Sequence, residues 1–464
     1  MRGSVTGLCL TKHRSLFGLA CSVLAIFFFV LALGIPGNYA LACSAAQGQS
    51  GSCQWQLDKE GVLTISPVQG DSEEGADQSE ARLGWWDTSA PWASVASDIK
   101  EVKIEGTIKA VTCNGMFASC EALEKLDLSG LDTSAVTDMS WMFGYCSSLR
   151  NADLSSLDAS HVVNMGYLFY RCSSLRSVGL NGFSSASATS MRYMFAECES
   201  LSKLNLSSLN TSRVNDMYAM FQSCSSLVSL DLSKFNTSSV RSMARMFCGC
   251  SSLASLDLSR FNTSSVTEMQ SMFESCRSLS SLNLSTFDTR KVYSMYAMFC
   301  NCKNLGDLNI SSFRTPSLTN IGWMFGNCKK LRAIRLGKFN ASKLWRNEYA
   351  FAGCSNLRSV ALPSQLPTVG AYMFESCSKL GSLIIGSKVR GIGEYAFKGC
   401  GHMKSLTLKT KHLSKKKVKG SLKGSSVKSI KVKVGSKKAN KKYVKKYKKA
   451  FKKKYSGKRV KVRR

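Results

Sequence analysis

Twelve cysteines stand three residues after a phenylalanine, and they are the residues of this sequence with the clearest capacity for chemistry. They are Cys120, Cys146, Cys172, Cys198, Cys224, Cys250, Cys276, Cys302, Cys328, Cys354, Cys377 and Cys400. A thiol can form a disulfide, bind zinc or act as a nucleophile. No CxxC pair or histidine partner accompanies these cysteines, so the pattern does not favour a zinc site.

The phenylalanines that precede these cysteines form a regular series. They are Phe117, Phe143, Phe169, Phe195, Phe221, Phe247, Phe273, Phe299, Phe325 and Phe351 at steps of 26 residues, then Phe374 and Phe397 at steps of 23. One unit begins with Leu227, Leu230 and Leu232, whose spacing predicts a short strand with one buried face. A repeat of this length containing Leu-x-x-Leu-x-Leu is typical of leucine-rich solenoids.

The second half of the unit has a different period. An apolar stripe with helical spacing predicts a short helix or helical turn, and its members are Val240, Met243, Met246, Phe247 and Cys250. Thr237 and Ser238 precede it, where a hydroxyl can cap free N–H groups. We therefore predict an α/β solenoid, a leucine-rich repeat array of about 12 coils. Parallel strands form one face and short helical segments the other, because a single unit cannot bury its apolar side alone.

Stacking gives the cysteines a structural interpretation. Equivalent Cβ atoms in neighbouring coils should keep the strand spacing of about 4.8 Å, whereas a disulfide needs about 3.8 Å. We therefore expect a column of buried thiols, with bridging of some of them as the alternative. Cys113 aligns with the methionine column and is expected in the core. Cys43 and Cys53 could close a loop near the N-terminus.

The segment 1–42 is expected to be an export signal. Basic residues precede an apolar run from Leu16 to Leu33, and Ala40-Leu41-Ala42 offers a small-x-small cleavage site. Two alternatives stay open: an uncleaved membrane anchor and a lipoprotein acylated at Cys43. Residues 43–108 are expected to form an N-terminal β cap. Trp85, Trp86 and Trp92 either cover the open end of the core or form a sugar-binding aromatic patch.

The basic charge of the chain is concentrated at one end. Of a net charge of +33, the segment 402–464 carries 27 Lys or Arg and no acid, so the remaining chain carries +6. Its alternating and helical patterns predict a Lys-rich C-terminal cap over 410–464 with strand, helix and strand, and Asn440 as the helix cap. Its outer face either is simply solvated or binds an anionic cell-wall polymer or membrane surface. Nucleic acid is a less favoured partner because the export signal argues against it. The candidate polymer-binding residues are Lys441, Lys442, Lys445, Lys446, Lys448, Lys449, Lys452 and Lys453.

No motif points to an enzyme. GxSxG, HExxH and P-loop patterns do not occur, and the sequence suggests no catalytic residue, metal site or cofactor. The outward residue between the two final leucines of each unit offers a polar surface instead. The candidate ligand-face residues are Asp127, Asp153, Asn205, Asp231, Asp257, Asn283 and Asn309. They either bind a partner or serve only solubility and turn formation.

The repeat resembles a known family. "LDLSKFNTSSVRSMARMFCGCSSL" and "LDLSRFNTSSVTEMQSMFESCRSL" are similar to repeats of BspA-family leucine-rich repeat bacterial surface proteins, of the type found in mycoplasmas. The last units, "VGAYMFESCSKL" and "IGEYAFKGCGHM", resemble the shorter treponeme-type variant. The similarity covers about 109–409, which we take as the solenoid. It implies a surface protein without catalytic residues, one that adheres to host or microbial surface proteins. The alternative is a structural envelope component without a specific ligand.

Overall fold

The computed structural model describes residues 45–68, 81–83, 90–336 and 339–464, and these belong to one compact unit, Cys43–Arg464. The segment predicted as an export signal, Cys43, Trp85 and Trp86 lie outside the described residues. Among the described residues, no helix is both long and apolar enough to cross a bilayer.

The chain enters the solenoid through a small sheet. Strands β1 (Ala46–Ser50), β2 (Cys53–Leu57) and β3 (Val62–Pro67) pair antiparallel, and β3 pairs in parallel with β5 (Glu101–Ile104), which pairs with β7 (Lys125–Leu126). A second sheet joins β4 (Ala81–Leu83), β6 (Ile108–Ala110) and β8 (Leu131–Asp132). Trp92 lies buried under the first coil: its indole Nε1 donates to the Met116 carbonyl over 2.8 Å and its ring stacks on Phe117. Trp92 therefore covers the end of the core, which is the first of the two interpretations given for the tryptophans.

Coils of 26 residues, followed by coils of 23 residues, then stack in parallel. Their strands are β9 (Asn151–Asp153), β10 (Ser177–Gly179), β11 (Ser281–Asn283), β12 (Asp307–Asn309), β13 (Ala333–Arg335), β14 (Ser359–Ala361), β15 (Thr368–Val369), β16 (Leu383–Ile385), β17 (Gly391–Ile392) and β18 (Ser405–Leu408). A second column of single parallel bridges runs without a break from Asp138 to Arg346. The predicted repeat solenoid with parallel strands is confirmed.

The predicted short helices are wrong. Among the described residues of 109–409 there is no helix, and the Phe-containing segment is a run of turns. Residues two before and two after each phenylalanine have positive φ, for example Arg245 at 59° and Gly249 at 81° around Phe247. An L-residue at such a φ cannot continue a right-handed helix. The apolar positions still face inward at the predicted spacing, so the period was informative about burial but not about backbone conformation.

Hydrogen bonding explains why turns replace a helix. The N–H groups of Met243, Arg245, Phe247 and Gly249 donate across to carbonyls of the next coil, whereas those of Met246, Cys248 and Cys250 donate three residues back within their own coil. This alternation pairs seven of the eight N–H groups from Met243 to Cys250 while tying each coil to its neighbour. A helix would direct all of these N–H groups along its own axis and leave the coils unconnected.

The core consists of columns of identical side chains. The phenylalanine rings from Phe117 to Phe397 stack with centroids 5.1–6.0 Å apart. A hydroxyl column is also buried, and Thr237 shows its role: the hydroxyl donates to the Asn262 carbonyl (3.0 Å) and accepts from the Asn262 N–H (2.9 Å) of the next coil. The sequence suggested that the Thr237 hydroxyl caps its own turn. The hydroxyl instead links its coil to the next one.

Stacking continues beyond residue 409. Strands β19 (Ser429–Val432) and β20 (Lys461–Arg463) extend the sheet of β16 and β18, and the N–H groups of Tyr395 and Gly399 donate to the carbonyls of Gly420 and Gly424. Between β19 and β20 lie helix α1 (Lys437–Ala450) and the short α2 (Lys453–Ser456), and two 3-10 turns occupy Ala93–Asp98 and Lys416–Val418. The solenoid thus has about 13 turns.

Candidate functional site

The cysteine column lies in the dry interior. All twelve cysteines of the column are buried, as is Cys113, and all carry free thiols; Cys53 is also a buried thiol. From Cys146 to Cys400, each thiol donates to the carbonyl of the preceding coil's phenylalanine, with sulfur–oxygen distances of 2.9–3.1 Å. Burial raises the pKa of Cys120 and of Cys224 to about 12. These thiols are therefore structural donors with little thiolate character.

The seven candidate ligand-face residues share one local geometry. In each, the side-chain Oδ1 accepts the backbone N–H of the residue two positions later, at 2.9–3.1 Å. The turn that follows each strand therefore selects Asp or Asn at this position. Donation from the Ser129, Ser233 and Ser259 N–H groups lowers the pKa of the Asp127, Asp231 and Asp257 carboxyls. Turn formation thus explains the residue type.

The structure brings three of these seven residues together. Asp231, Asp257 and Asn283 line a depression of about 500 Å³ with the flanking Ser229, Ser255 and Ser281 and three leucines, Leu230, Leu256 and Leu282. Asp127, Asp153, Asn205 and Asn309 lie on the same face but do not line it. The depression spans three consecutive coils.

The strand ladder is open at this depression. Residues 180–280 are all described and contain no strand longer than a single bridge. In the described residues 229–231 and 255–257, no backbone N–H or C=O is bonded to a backbone group. The same positions are paired in register between β9 and β10, β11 and β12, and β13 and β14, whereas residues 203–205 form no backbone–backbone hydrogen bond either. The depression therefore combines two carboxylates, an amide and three serine hydroxyls, which is a surface suited to hydrogen bonding with a partner.

The eight candidate lysines are all exposed, on α1, on α2 and at Lys452 between them. The opposite face of α1 packs inward through Tyr447, whose hydroxyl donates to the Thr410 carbonyl over 2.6 Å. The helix cap is Ser436, which accepts from the Ala439 N–H, so the prediction of Asn440 was wrong. Asn440 lies inside the helix and instead accepts from the Val434 N–H over 2.8 Å, because the chain turns back over the first helical turn.

The sequence interpretation missed a surface feature. Seven coils place an aromatic residue two positions before the phenylalanine, where φ is positive: Trp141, Tyr167, Tyr193, Trp323, Tyr349, Tyr372 and Tyr395. The recurring aromatic residue is visible in the sequence as "W-M-F", "Y-L-F" and "Y-M-F". It was overlooked because the segment was interpreted as a short helix. Among the described residues, no group of three or more His, Cys, Asp or Glu is arranged to hold a metal ion.

Comparisons place this architecture among known proteins. The family model described as "Mycoplasma protein of unknown function, DUF285" matches residues 111–227, 189–283, 253–362 and 279–385, which overlap and together span 111–385, more than half of the chain. The BspA type leucine rich repeat region matches in six copies within 346–449. No curated protein is similar enough to count as a relative.

Three bacterial crystal structures are similar to the chain. A leucine-rich repeat protein from Bacteroides ovatus is 18% identical, with 82% of this chain and 93% of that chain covered and a TM-score of 0.46. A leucine-rich repeat protein from Eubacterium ventriosum is 18% identical, with 77% and 95% covered and a TM-score of 0.42. A leucine rich cell surface protein from Faecalibacterium prausnitzii is 16% identical, with 85% and 96% covered and a TM-score of 0.34. The chain belongs to the mycoplasma-type DUF285 family, and its array ends in leucine-rich repeats of the BspA type.

Proposed function

We propose that this chain is an exported bacterial surface protein that binds a surface protein of a host or another microbe through the depression at Asp231, Asp257 and Asn283. The observation that carries the proposal is the depression itself, which groups two carboxylates, an amide and three serine hydroxyls on one exposed face where the strand ladder is open. The family, whose members are leucine-rich repeat proteins of a surface type, supports an interaction role rather than catalysis.

Substitutions that remove the two negative charges provide a specific test of this proposal. Asp231→Asn combined with Asp257→Asn keeps the Oδ1 acceptor of each turn and removes both charges. The matched control is Asp127→Asn with Asp153→Asn, which makes the same change on the same face outside the depression. A partner captured from surface extracts and then purified should bind the first variant about tenfold or more weakly than the control. Equal affinity of the two variants would exclude the depression as the binding site.

The exposed lysines of α1 and α2 serve, in this proposal, to hold the protein on an anionic envelope polymer. Removal of the whole C-terminal segment is a poor test, because it would strip Tyr447, Ile430 and Val432 from the end of the core. Replacement of Lys441, Lys445, Lys448 and Lys452 by glutamine leaves the packing intact. The control replaces four exposed lysines elsewhere, Lys329, Lys330, Lys343 and Lys388. Cell-wall co-sedimentation should fall for the first set only, and about 1 M salt should release the unmodified protein.

The second candidate is a structural envelope component without a specific ligand. The observation that favours it is that all seven face residues already serve turns of their own coils. This candidate predicts that every purified surface protein has the same affinity for the Asp231→Asn/Asp257→Asn variant and for the Asp127→Asn/Asp153→Asn control. Retention on the envelope polymer through the lysines should persist.

A further inference from the structure

The positions two residues before the repeat phenylalanines combine a costly backbone with bulky side chains. All twelve have a positive φ, between 52° and 63°. This region is unfavourable for bulky residues and favours glycine or asparagine. The residues two positions after each phenylalanine also have a positive φ, and they follow the preference for glycine and asparagine. They include Gly249, Gly353, Gly399, Asn301 and Asn327, and a single aromatic residue, Tyr145. The aromatic residues of the first column therefore reflect a requirement other than backbone geometry.

These aromatic side chains form two ladders on the solenoid surface. In the N-terminal ladder, Trp141, Tyr167 and Tyr193 stack with centroids 4.1 and 4.7 Å apart. In the C-terminal ladder, Trp323, Tyr349, Tyr372 and Tyr395 stack at 4.5, 4.9 and 5.1 Å. All seven side chains are half-buried, since their ring faces stack on one another and part of each side chain remains accessible. The Arg192 guanidinium also lies 5.8 Å from the ring centroids of Tyr167 and Tyr193. Ala219, Arg245, Ser271 and Ala297 separate the ladders.

A depression of about 300 Å³ adjoins the N-terminal ladder at Tyr145, whose ring stacks on that of Trp141 with centroids 6.0 Å apart. Its lining comprises Glu121, Tyr145, Ser147, Arg171, Ser173, Glu197 and Glu199. The Arg171 guanidinium pairs with Glu197 over 2.8 Å and lies over the rings of Tyr145 and Tyr170. Tyr170 donates its hydroxyl to Glu197 over 3.3 Å. Carboxylates, a guanidinium, serine hydroxyls and a phenol are thus brought together beside accessible aromatic carbon.

We propose that this surface, named the N-terminal aromatic ladder with its adjoining depression, binds a linear neutral glycan. A sugar unit has apolar C–H faces that pack on aromatic carbon and a rim of hydroxyls that both donate and accept hydrogen bonds. The surface offers both kinds of contact, since Tyr and Trp combine an apolar body with a polar tip and the carboxylates and guanidinium supply acceptors and donors. The lining mixes both signs of charge, so it is less suited to a polyanion than the lysines of α1.

The repeat geometry favours a polymer over a single sugar. Each coil presents the same aromatic position at a spacing of 4.1–4.7 Å in this ladder, so a chain of identical units lying along the solenoid axis meets equivalent groups at successive coils. Contacts with several units add, and a chain of several sugars should therefore bind more tightly than its monomer.

The left-handed backbone allows a variant that removes rings without unfolding the coils. Glycine tolerates positive φ at no steric cost, so Tyr167→Gly with Tyr193→Gly deletes two ladder rings and keeps the backbone. The control is Ala219→Gly with Ser271→Gly, which makes the same backbone change in the gap between the ladders. Circular dichroism and the urea midpoint establish that each variant is folded.

The test titrates the full chain with neutral hexasaccharides of glucose, mannose and N-acetylglucosamine, with tryptophan fluorescence and calorimetry as readouts. We expect at least one hexasaccharide to bind with a Kd below about 1 mM, to bind more tightly than its monosaccharide, and to bind equally well at about 0.5 M salt because it carries no charge. The Tyr167→Gly/Tyr193→Gly variant should lose about tenfold or more in affinity, and the control should not.

Three results would overturn the proposal. The first is no binding of any of the three hexasaccharides by the unmodified chain. The second is equal binding by the ladder variant and its control. The third is binding that requires an anionic polymer and disappears at high salt. None of these outcomes bears on the protein-binding depression at Asp231 and Asp257, which is a separate surface.

Discussion

The thiol of Cys250 donates a hydrogen bond to the carbonyl oxygen of Phe221 in the preceding coil, over 3.1 Å. The same carbonyl also accepts the N–H of Cys224 in its own coil. A carbonyl has two lone pairs, and a buried one is more stable when both are used. Cysteine supplies a small, weakly polar donor for the second, which accounts for its recurrence three residues after the repeat phenylalanines from Cys146 to Cys400.

Thiol accessibility is expected to separate Cys248 from the buried column. Cys248 is partly exposed, whereas burial disfavours the thiolate of the column cysteines. Ellman's reagent at pH 8 should therefore modify Cys248 in native protein and reach the column only in denaturant. A Cys248→Ala variant should lose one rapidly reacting thiol per chain. Rapid reaction of the column thiols in native protein would contradict their buried position.

Thr237→Val is expected to lower the free energy of unfolding by about 1–3 kcal/mol. The substitution keeps the shape of the side chain but leaves the N–H and C=O of Asn262 without their hydroxyl partner. Thr267→Val is the matched control, because its hydroxyl bond to the Arg241 carbonyl lies at the surface; we expect a change within about 0.5 kcal/mol. Urea denaturation measures both, and equal losses would show that burial of the hydroxyl column is unimportant.

Glycine is expected to stabilise one left-handed position and to be needed at another. Ser275 has a φ of 62°, and Ser275→Gly should raise the free energy of unfolding by roughly 1 kcal/mol. Gly249→Ala should lower it, since φ there is 81° and an added Cβ would lie 3.1 Å from the Ser223 Oγ. Ser278→Gly, at a residue without positive φ, should be destabilising. The same sign for Ser275→Gly and Ser278→Gly in urea denaturation would argue against the left-handed assignment.

The carboxyls of Asp231 and Asp257 are expected to make stability fall at acid pH. Their pKa is lower in the folded state because the Ser233 and Ser259 N–H groups stabilise the charged form. Their contribution is therefore complete above the unfolded-state pKa of about 3.9 and is lost as pH falls through the folded-state value. Asp231→Asn with Asp257→Asn should flatten the decline of the urea midpoint between pH 7 and about pH 2.5.

The converse substitution tests the same cause. Asn205 occupies the equivalent position and accepts the Ser207 N–H over 3.1 Å. Asn205→Asp should therefore steepen the acid decline of the urea midpoint. Unchanged pH profiles in both variants would show that these turns do not distinguish the charged from the neutral side chain.

Periodicity predicted the solenoid, the core columns and the outward position of Asp231 and Asp257, because stacking repeats every sequence signal at the same place in each coil. It did not predict the turns around Phe247, since an apolar stripe reports which positions are buried and not the sign of φ. The opening of the strand ladder at Ser229–Asp231 also escaped prediction, because those coils have the same Leu-x-Leu pattern as coils whose strands pair. The hydrogen bonds between Thr237 and Asn262 were not predicted either, because they depend on how one coil is placed against the next.

The hydrogen bonds that tie Phe247 to Met272 and Thr237 to Asn262 connect one coil only to the next. Excision or duplication of a 26-residue stretch with its boundaries at equivalent positions would join two surfaces that already fit. Near-identical tracts such as "LDLSKFNTSSV" and "LDLSRFNTSSV" are natural points for unequal crossing-over between gene segments. The length of the solenoid can therefore change in whole coils while every remaining coil keeps a neighbour that fits it.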